Sequence, residues 1–378
     1  MQTRRQFIGA AGVGLPLALS RAASAPAAEP FAFVLLGDLH FDKLEHHEMD
    51  WLQKDHPGDV SQVHNYSRIT KEVHPQLFAT VRETIVDLNA APASHVPFVI
   101  HAGDFVEGLC GNEKLALQQC TDGVEFVRAA NLGLPFLFTK GNHDITGPGA
   151  PAAFKEVLNP FLTAQAAPLH AGRLVNDCYA FEHGDALFCF FDAYDKPSLD
   201  WLEARLAKRT AARCFVIVHP PVVPYGARST WHVYSSERDR PLRERLLQLL
   251  GQHNAIVLGG HIHKYNFLAR ETSRGGRFVQ LAISSIISKA SAATPKDLLN
   301  GVNDYNGDQI KVEPNFSPGT EKERRAVYEP EAPFVKEFQY ADLPGYAVVT
   351  VNRDQVTAKV YSGTSRQLWR TVKLAGAA

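Results

Sequence analysis

Five short motifs hold the residues with chemistry to offer: Gly37-Asp38-Leu39-His40, Gly103-Asp104, Gly141-Asn142-His143-Asp144, His219-Pro220-Pro221 and Gly260-His261-Ile262-His263. They supply imidazole nitrogens, carboxylate oxygens and an amide oxygen, and no thiolate. That donor set suits divalent Mn, Fe or Zn without choosing among them. A carboxylate such as Asp104 can bridge two ions. Asp38 and His40, and likewise His261 and His263, are spaced so that both side chains of a pair can face one side of an extended backbone. Gly37, Gly103, Gly141 and Gly260 each precede a donor, where tight and often positive-φ turns let backbone approach an ion. Each motif alone is weak. Gly-Asp is common in turns, a histidine after a strand is usually structural, and Asn-His-Asp after a glycine can be a helix cap.

What gives the set weight is where it falls. Each motif follows an apolar, strand-like run: Phe31 to Leu36, Pro97 to Ile100, Pro135 to Thr139, Cys214 to Val218 and Ala255 to Leu258. A further such run spans Ala186 to Phe191. Helical spacing of apolar residues appears between them, over about Gln76 to Asn89, Glu113 to Asn131, Ala152 to Leu162, Leu199 to Lys208 and Glu237 to Leu250. Alternation of this kind predicts an α/β fold with a buried sheet, whose strand ends form the binding edge. One edge of one sheet would then assemble the donors. After His263 strand-like runs dominate: Tyr265 to Ala269, Arg277 to Ile287, Gly345 to Val351, Val356 to Tyr361 and Leu368 to Val372. Asn352-Arg353-Asp354 has the character of a hairpin connection. Two polar segments, about 41–75 and 288–342, read as irregular insertions too long to be simple connections.

The series Gly-Asp-x-His, Gly-Asp, Gly-Asn-His-Asp, a histidine after a strand, and Gly-His-x-His resembles the calcineurin-like metallophosphoesterase family. The resemblance implies a four-layer α/β/β/α sandwich with two metals at the strand ends. It implies that Asp38, His40, Asp104 and His263 hold one ion, and Asp104, Asn142, His219 and His261 the other. It further implies that His143 contacts the substrate phosphoryl group, with Asp144 orienting its imidazole. One departure is Val218 before His219, where the family usually has glycine. The expected activity is hydrolysis of a phosphoric mono- or diester, by in-line attack of a metal-held hydroxide on phosphorus and without a covalent intermediate. The alternatives are a non-catalytic metal- or phosphate-binding protein on the same fold, and a nuclease-type phosphodiesterase.

The N-terminus reads as a targeting segment. Arg4-Arg5-Gln6-Phe7-Ile8 precedes a Gly- and Ala-rich apolar stretch and then Ala-x-Ala patterns. It resembles a twin-arginine export signal over residues 1–28, which predicts the export machinery as a partner and a periplasmic or secreted protein. The catalytic domain is expected over 29–378. The apolar run is shorter than the roughly 20 residues of a membrane span. Loss of Arg4, Arg5 and Arg21 would leave 36 basic against 40 acidic residues. That mild acidity, with no basic stripe, disfavours nucleic acid and favours a small phosphate ester. Cys189 and Cys214 look like buried thiols, and Cys110 and Cys120 are open to pairing or to remaining free.

Other residues are set apart from the donors. His101 could stand behind a ligand but reads better as packed or hydrogen-bonded, and His46, His47, His56, His64 and His74 read as solvated loop histidines in preference to a third metal site. Asn65, Tyr66 and Arg68 lie where a loop can overhang the site, with a surface turn equally open. Arg228, Trp231, His232 and Tyr234 follow the fourth motif and are expected at the pocket wall.

Overall fold

The computed structural model of the chain describes residues 29–91, 94–312 and 319–376. The expected export signal at 1–28 lies outside them. Among the described residues the strands are β1 (Phe31–Leu36), β2 (Val99–His101), β3 (Phe136–Phe138), β4 (Tyr179–His183), β5 (Ala186–Phe190), β6 (Arg213–Ile217) and β7 (Ile256–Gly259). They continue as β8 (Tyr265–Glu271), β9 (Arg277–Ala282), β10 (Lys296–Asn300), β11 (Val335–Asp342), β12 (Gly345–Val351), β13 (Gln355–Ser362) and β14 (Leu368–Gly376). The helices are α1 (Met49–Asp55), α2 (Val60–Glu72), α3 (His74–Asn89), α4 (Glu113–Ala130), α5 (Ala150–Ala153), α6 (Asn159–Ala166), α7 (Ser198–Ala207), α8 (Arg240–Gln252) and α9 (Glu321–Ala326). A π-helical turn, Phe154–Leu158, joins α5 to α6. None of the described helices is long and apolar enough to cross a membrane.

Two sheets form, in the orders β14-β13-β12-β1-β2-β3 and β10-β11-β8-β9-β7-β6-β5-β4. The neighbours β1, β2 and β3 run parallel, as do β5, β6, β7 and β9. The sheets pack face to face: Phe33 on β1 meets Phe188 on β5 and Phe215 on β6, each at 5.5 Å between ring centroids. Strand periodicity sorts the second sheet's residues between two layers. Phe188, Phe190, Phe215, Ile217 and Leu258 join the core shared with the first sheet. Leu187, Cys189, Cys214, Val216 and Val257 instead pack with Leu202 and Leu206 of α7 and Leu246 and Leu250 of α8. Leu77 and Val81 of α3 and Val124 of α4 belong to the core of the first sheet. The result is the expected four-layer α/β/β/α arrangement with a strand-rich C-terminal part. Because these strands are buried on both faces, they read as continuous apolar runs.

Local signals fix the element ends. Asn112 caps α4 by accepting the Leu115 N–H at 3.0 Å, and Asn131 stops it in a left-handed conformation at φ 48°. The connection at Asn352 to Asp354 is a hairpin, closed by Asn352 N–H donating to the Gln355 carbonyl at 2.9 Å.

Several expectations need correction. The donors are not delivered by one sheet: β1, β2 and β3 are in the first, β6 and β7 in the second. Residues 41–75 are largely helical, as α1, α2 and the start of α3. Their polarity hid a helical stripe in which Val63, Tyr66, Ile69 and Thr70 are buried. Segment 288–342 contains β10, α9 and the eight-residue β11, which pairs along β8. Exposed Lys336 and Glu337 broke the apolar run that would have marked β11. The strand β4 escaped notice altogether. His46, His47 and His74 are buried, not solvated, and of the five insertion histidines only His64 is exposed. All five cysteines are buried free thiols.

Candidate metal centre

The loops after β1 and β2 are tied to each other first. Leu39 and His40 N–H groups both donate to the Asp104 carbonyl, at 3.2 and 2.9 Å, and Phe41 N–H donates to the Phe105 carbonyl at 2.9 Å. A second tie crosses from sheet to sheet: His261 N–H donates to Asp38 Oδ1 at 2.7 Å. A third holds the loop after β3, where His143 N–H donates to Asp104 Oδ1 at 2.9 Å.

The donors themselves carry the backbone strain. His40, Asp104, His261 and His263 have φ of 47°, 55°, 72° and 61°. Left-handed conformation in residues other than glycine costs on the order of 1–3 kcal/mol each and concentrates at functional sites. The paired donors therefore do not sit on extended backbone, as their spacing had suggested. Of the four preceding glycines, only Gly103 has positive φ. Gly141 and Gly260 are there for close approach. A Cβ on Gly141 would fall 2.1 Å from Asp104 Oδ1, and one on Gly260 2.6 Å from Asp38 Oδ2.

These ties gather two clusters. Asp38, His40, Asp104 and His263 bring one donor atom each within 4.8 Å of one another, and so do Asp104, His219 and His261. Asp104 belongs to both. Its Oδ2 lies 2.9 Å from His219 Nε2 and 3.5 Å from His40 Nε2. Asn142 lines the cavity beside the second cluster, and Tyr194 Oη donates to its Oδ1 at 3.5 Å.

The protonation chemistry of the clusters fits a pair of cations. His219 Nδ1 donates to the Ala102 carbonyl at 2.8 Å, so Nδ1 carries the hydrogen. In the neutral ring Nε2 then holds a lone pair, aimed at Asp104 Oδ2 and at His261 Nδ1, 3.2 Å away. Something positive has to separate them. With only protons to serve, burial disfavours the imidazolium but Asp104 and Asp38 outweigh it, and His219 is pushed up to about 9. Asp38 Oδ2 is buried and accepts no hydrogen bond, a cost unless a cation meets it. Burial holds His40, His261 and His263 below the usual imidazole range, hence neutral and able to coordinate. Two carboxylates, four imidazoles and the Asn142 amide thus suit two hard or borderline divalent ions, as the family resemblance implies.

The expected role of Asp144 is not met. Its Oδ1 accepts the Phe105 and Val106 N–H groups at 2.8 and 3.0 Å, and its Oδ2 accepts the Gly141 N–H at 2.8 Å. It clamps the second and third motifs together and does not touch the His143 ring. The side chain is fully buried, and burial together with the Asp104 charge pushes it up to about 7. What orients His143 is Glu107: the ring's Nδ1 donates to the Glu107 carbonyl at 2.8 Å and lies 3.4 Å from its Oε2.

Glu107 is the candidate site residue that sequence reasoning missed. Its buried carboxylate accepts from His40 Nδ1 at 2.6 Å and from Gln62 Nε2 at 2.8 Å. Burial pushes it up to about 8, while the neighbouring His143 and the Gln62 hydrogen bond favour the ionised form that accepts from His40. A carboxylate behind a coordinating histidine fixes the ring and strengthens it as a donor. The only cue in sequence is its place three residues after Asp104 within Gly103 to Gly108. Glu107→Gln should weaken metal binding by about 10- to 100-fold, measured by competition with a chromophoric chelator. Unchanged affinity would remove Glu107 from the centre.

The surroundings close the site on one side. Tyr66 of α2 stacks on His40 with ring centroids 4.4 Å apart and 19° between planes. Arg68 faces outward instead, bonded to Asn65 and to the Ser288 carbonyl. His101 is packed on Phe136, and neither ring nitrogen has a hydrogen-bond partner among the described residues. Above the clusters is a cavity of about 600 Å³, lined by Asp104, Asn142, His143, Arg228, Trp231 and His261 among others. His232 also lines it, whereas Tyr234 lies in a neighbouring groove.

The fold has counterparts among known structures. No curated protein matches the chain in sequence. Among solved structures, PhoD superposes with a TM-score of 0.52 at 13% identity, over 94% of this chain and 73% of that one. A purple acid phosphatase from yellow lupin (Lupinus luteus) seeds gives 0.50 at 11% identity, over 92% of this chain and 54% of that chain. A dimetal phosphatase from Danio rerio gives 0.50 at 12% identity, over 92% and 99%. At such identities these likenesses establish the fold alone. The family profile described as Calcineurin-like phosphoesterase matches residues 31–265, well over half of the sequence and every motif named above, so the chain belongs to the calcineurin-like phosphoesterase family.

Proposed function

We propose that this protein hydrolyses a small phosphoric ester with two divalent metal ions, held by Asp38, His40, Asp104 and His263 on one side and by Asp104, Asn142, His219 and His261 on the other. The observation that carries this reading is Asp104. Its Oδ2 stands between imidazole nitrogens of two donor clusters, a position for a bridging carboxylate. When bound, such a metal pair supplies an acidified water as nucleophile and neutralises charge on the phosphoryl oxygens.

The chain's own side chains do the rest. His40 and His219 keep their coordinating nitrogens unprotonated because Glu107 and the Ala102 carbonyl take the N–H of the other ring nitrogen. His143 uses Nδ1 to hold the Glu107 carbonyl, which leaves Nε2 for the substrate. As an imidazolium it donates to a phosphoryl or leaving-group oxygen there. A cavity of about 600 Å³ has the size of a small-molecule pocket. Residues 1–28 suit twin-arginine export of a folded, metal-loaded protein, and we place the mature protein in the periplasm or outside the cell.

The test is an assay of metal-reconstituted protein. With added Mn²⁺, p-nitrophenyl phosphate or bis-p-nitrophenyl phosphate should be turned over, and a chelator should abolish it. Failure to turn over either ester at two bound ions per chain would leave a binding protein. Which ester is preferred separates a monoesterase from a diesterase.

A further inference from the structure

Large aromatic side chains are rarely left in water, because each buries much apolar area when covered. Among the described residues the exposed large apolar side chains include two aromatics, Trp231 at 37% and Tyr194 at 36%. Both line the cavity above the donor clusters. They come from different strands, Tyr194 from the loop after β5 and Trp231 from the loop after β6.

Neither is a loose surface residue. Tyr194 N–H donates to Asp192 Oδ1 at 2.8 Å, and Asp192 is buried and ion-paired with Lys140 at 2.6 Å. Lys140 immediately precedes Gly141, so Tyr194 is anchored to the third motif, and its hydroxyl reaches Asn142 Oδ1. Trp231 N–H donates to the Arg228 carbonyl at 2.9 Å, and Val233 N–H donates to the Pro221 carbonyl at 3.0 Å, next to the His219 motif. The indole lies 5.5 Å from the His261 ring at 46°, and the Arg228 guanidinium sits 5.2 Å over it. A guanidinium is attracted to the face of an indole, so Arg228 helps to hold the Trp231 ring from that face. Two flat side chains are thus fixed beside the reacting position with their surfaces still partly in water.

We propose that Trp231 and Tyr194 form a leaving-group subsite for a planar aromatic ring, so that the preferred substrate is a phosphate ester whose alcohol carries such a ring. This rests on the phosphoesterase reading, since it names what the ester carries. Ring stacking gains free energy beyond area burial alone, which a saturated ring of equal size cannot match.

The experiment compares benzylphosphonate with cyclohexylmethylphosphonate, neither of which can be hydrolysed, by calorimetric titration into the Mn²⁺-loaded protein. The aromatic ligand should bind about 3- to 10-fold tighter. That ratio should fall toward one in Trp231→Leu, which keeps apolar bulk without a flat face, and should shrink in Tyr194→Leu. Equal affinities in the native protein, a ratio unchanged by both substitutions, or no binding of either phosphonate would overturn the subsite. Turnover of benzyl and cyclohexylmethyl phosphate, measured in parallel, separates the two readings. Aromatic preference in binding without turnover of any ester sinks the hydrolase and keeps the subsite. Turnover without preference does the reverse.

Discussion

His143→Ala should keep as many metal ions as the native protein and lose turnover by about 10²- to 10⁴-fold, the range of a positioned acid–base or charge-stabilising group. The reason is that His143 stands beside the donors and belongs to neither shared cluster. Its ring is held by the Glu107 carbonyl and carboxylate, while its backbone N–H is bonded to Asp104 Oδ1. Substitution by alanine leaves that N–H in place. Metal content by elemental analysis and kcat on p-nitrophenyl phosphate together make the test. Near-normal kcat would end the proposed role. Loss of metal along with activity would move His143 into the ligand set, which the grouping of His40, Glu107 and His143 donor atoms makes a real comparison. His143→Gln sharpens the result, because an amide can still donate to a phosphoryl oxygen but cannot pass a proton. Partial recovery in that variant favours charge stabilisation, and none favours proton transfer.

Asp104→Asn should bind roughly one ion per chain or fewer, and should lose turnover with the second ion. Asparagine preserves the shape and the oxygen that accepts the His143 N–H, so the change removes a charge and one coordinating oxygen. Asp104 also holds the left-handed turn that ties the first two motifs through its carbonyl. That bond is made by backbone and survives the substitution. Two fully loaded ions in Asp104→Asn would rule out the bridge. Asp104→Ala is the harsher companion, removing the acceptor of the His143 N–H as well, and should be the worse of the two in both measurements.

The two residues that family resemblance paired as catalytic separate in the structure. His143 faces the cavity, whereas Asp144 is spent on three backbone N–H groups. The spacing in Asn-His-Asp could not show this, because adjacent side chains in a tight turn diverge and their partners come from other loops. Glu107 is the converse case. It has no motif of its own, and becomes important only where folding sets its carboxylate behind His40 and its carbonyl under His143.

By itself the sequence determined the donor types and their order, the apolar runs that place each donor at a strand end, and the strand-rich tail. These are legible because buried parallel strands show as continuous apolar segments, and because the chemistry of a ligand is a property of its side chain. Only the tertiary structure decided that the donors come from two sheets and that four of them sit in left-handed backbone. It alone showed the helical insertion α2 stacking Tyr66 on His40, and the Glu107 carboxylate standing behind the same ring. Each of those facts depends on contacts between residues tens or hundreds of positions apart, such as Asp38 with His261 and Ala102 with His219. Local pattern carries periodicity and composition, and it holds no information on which loop will meet which until the two sheets pack.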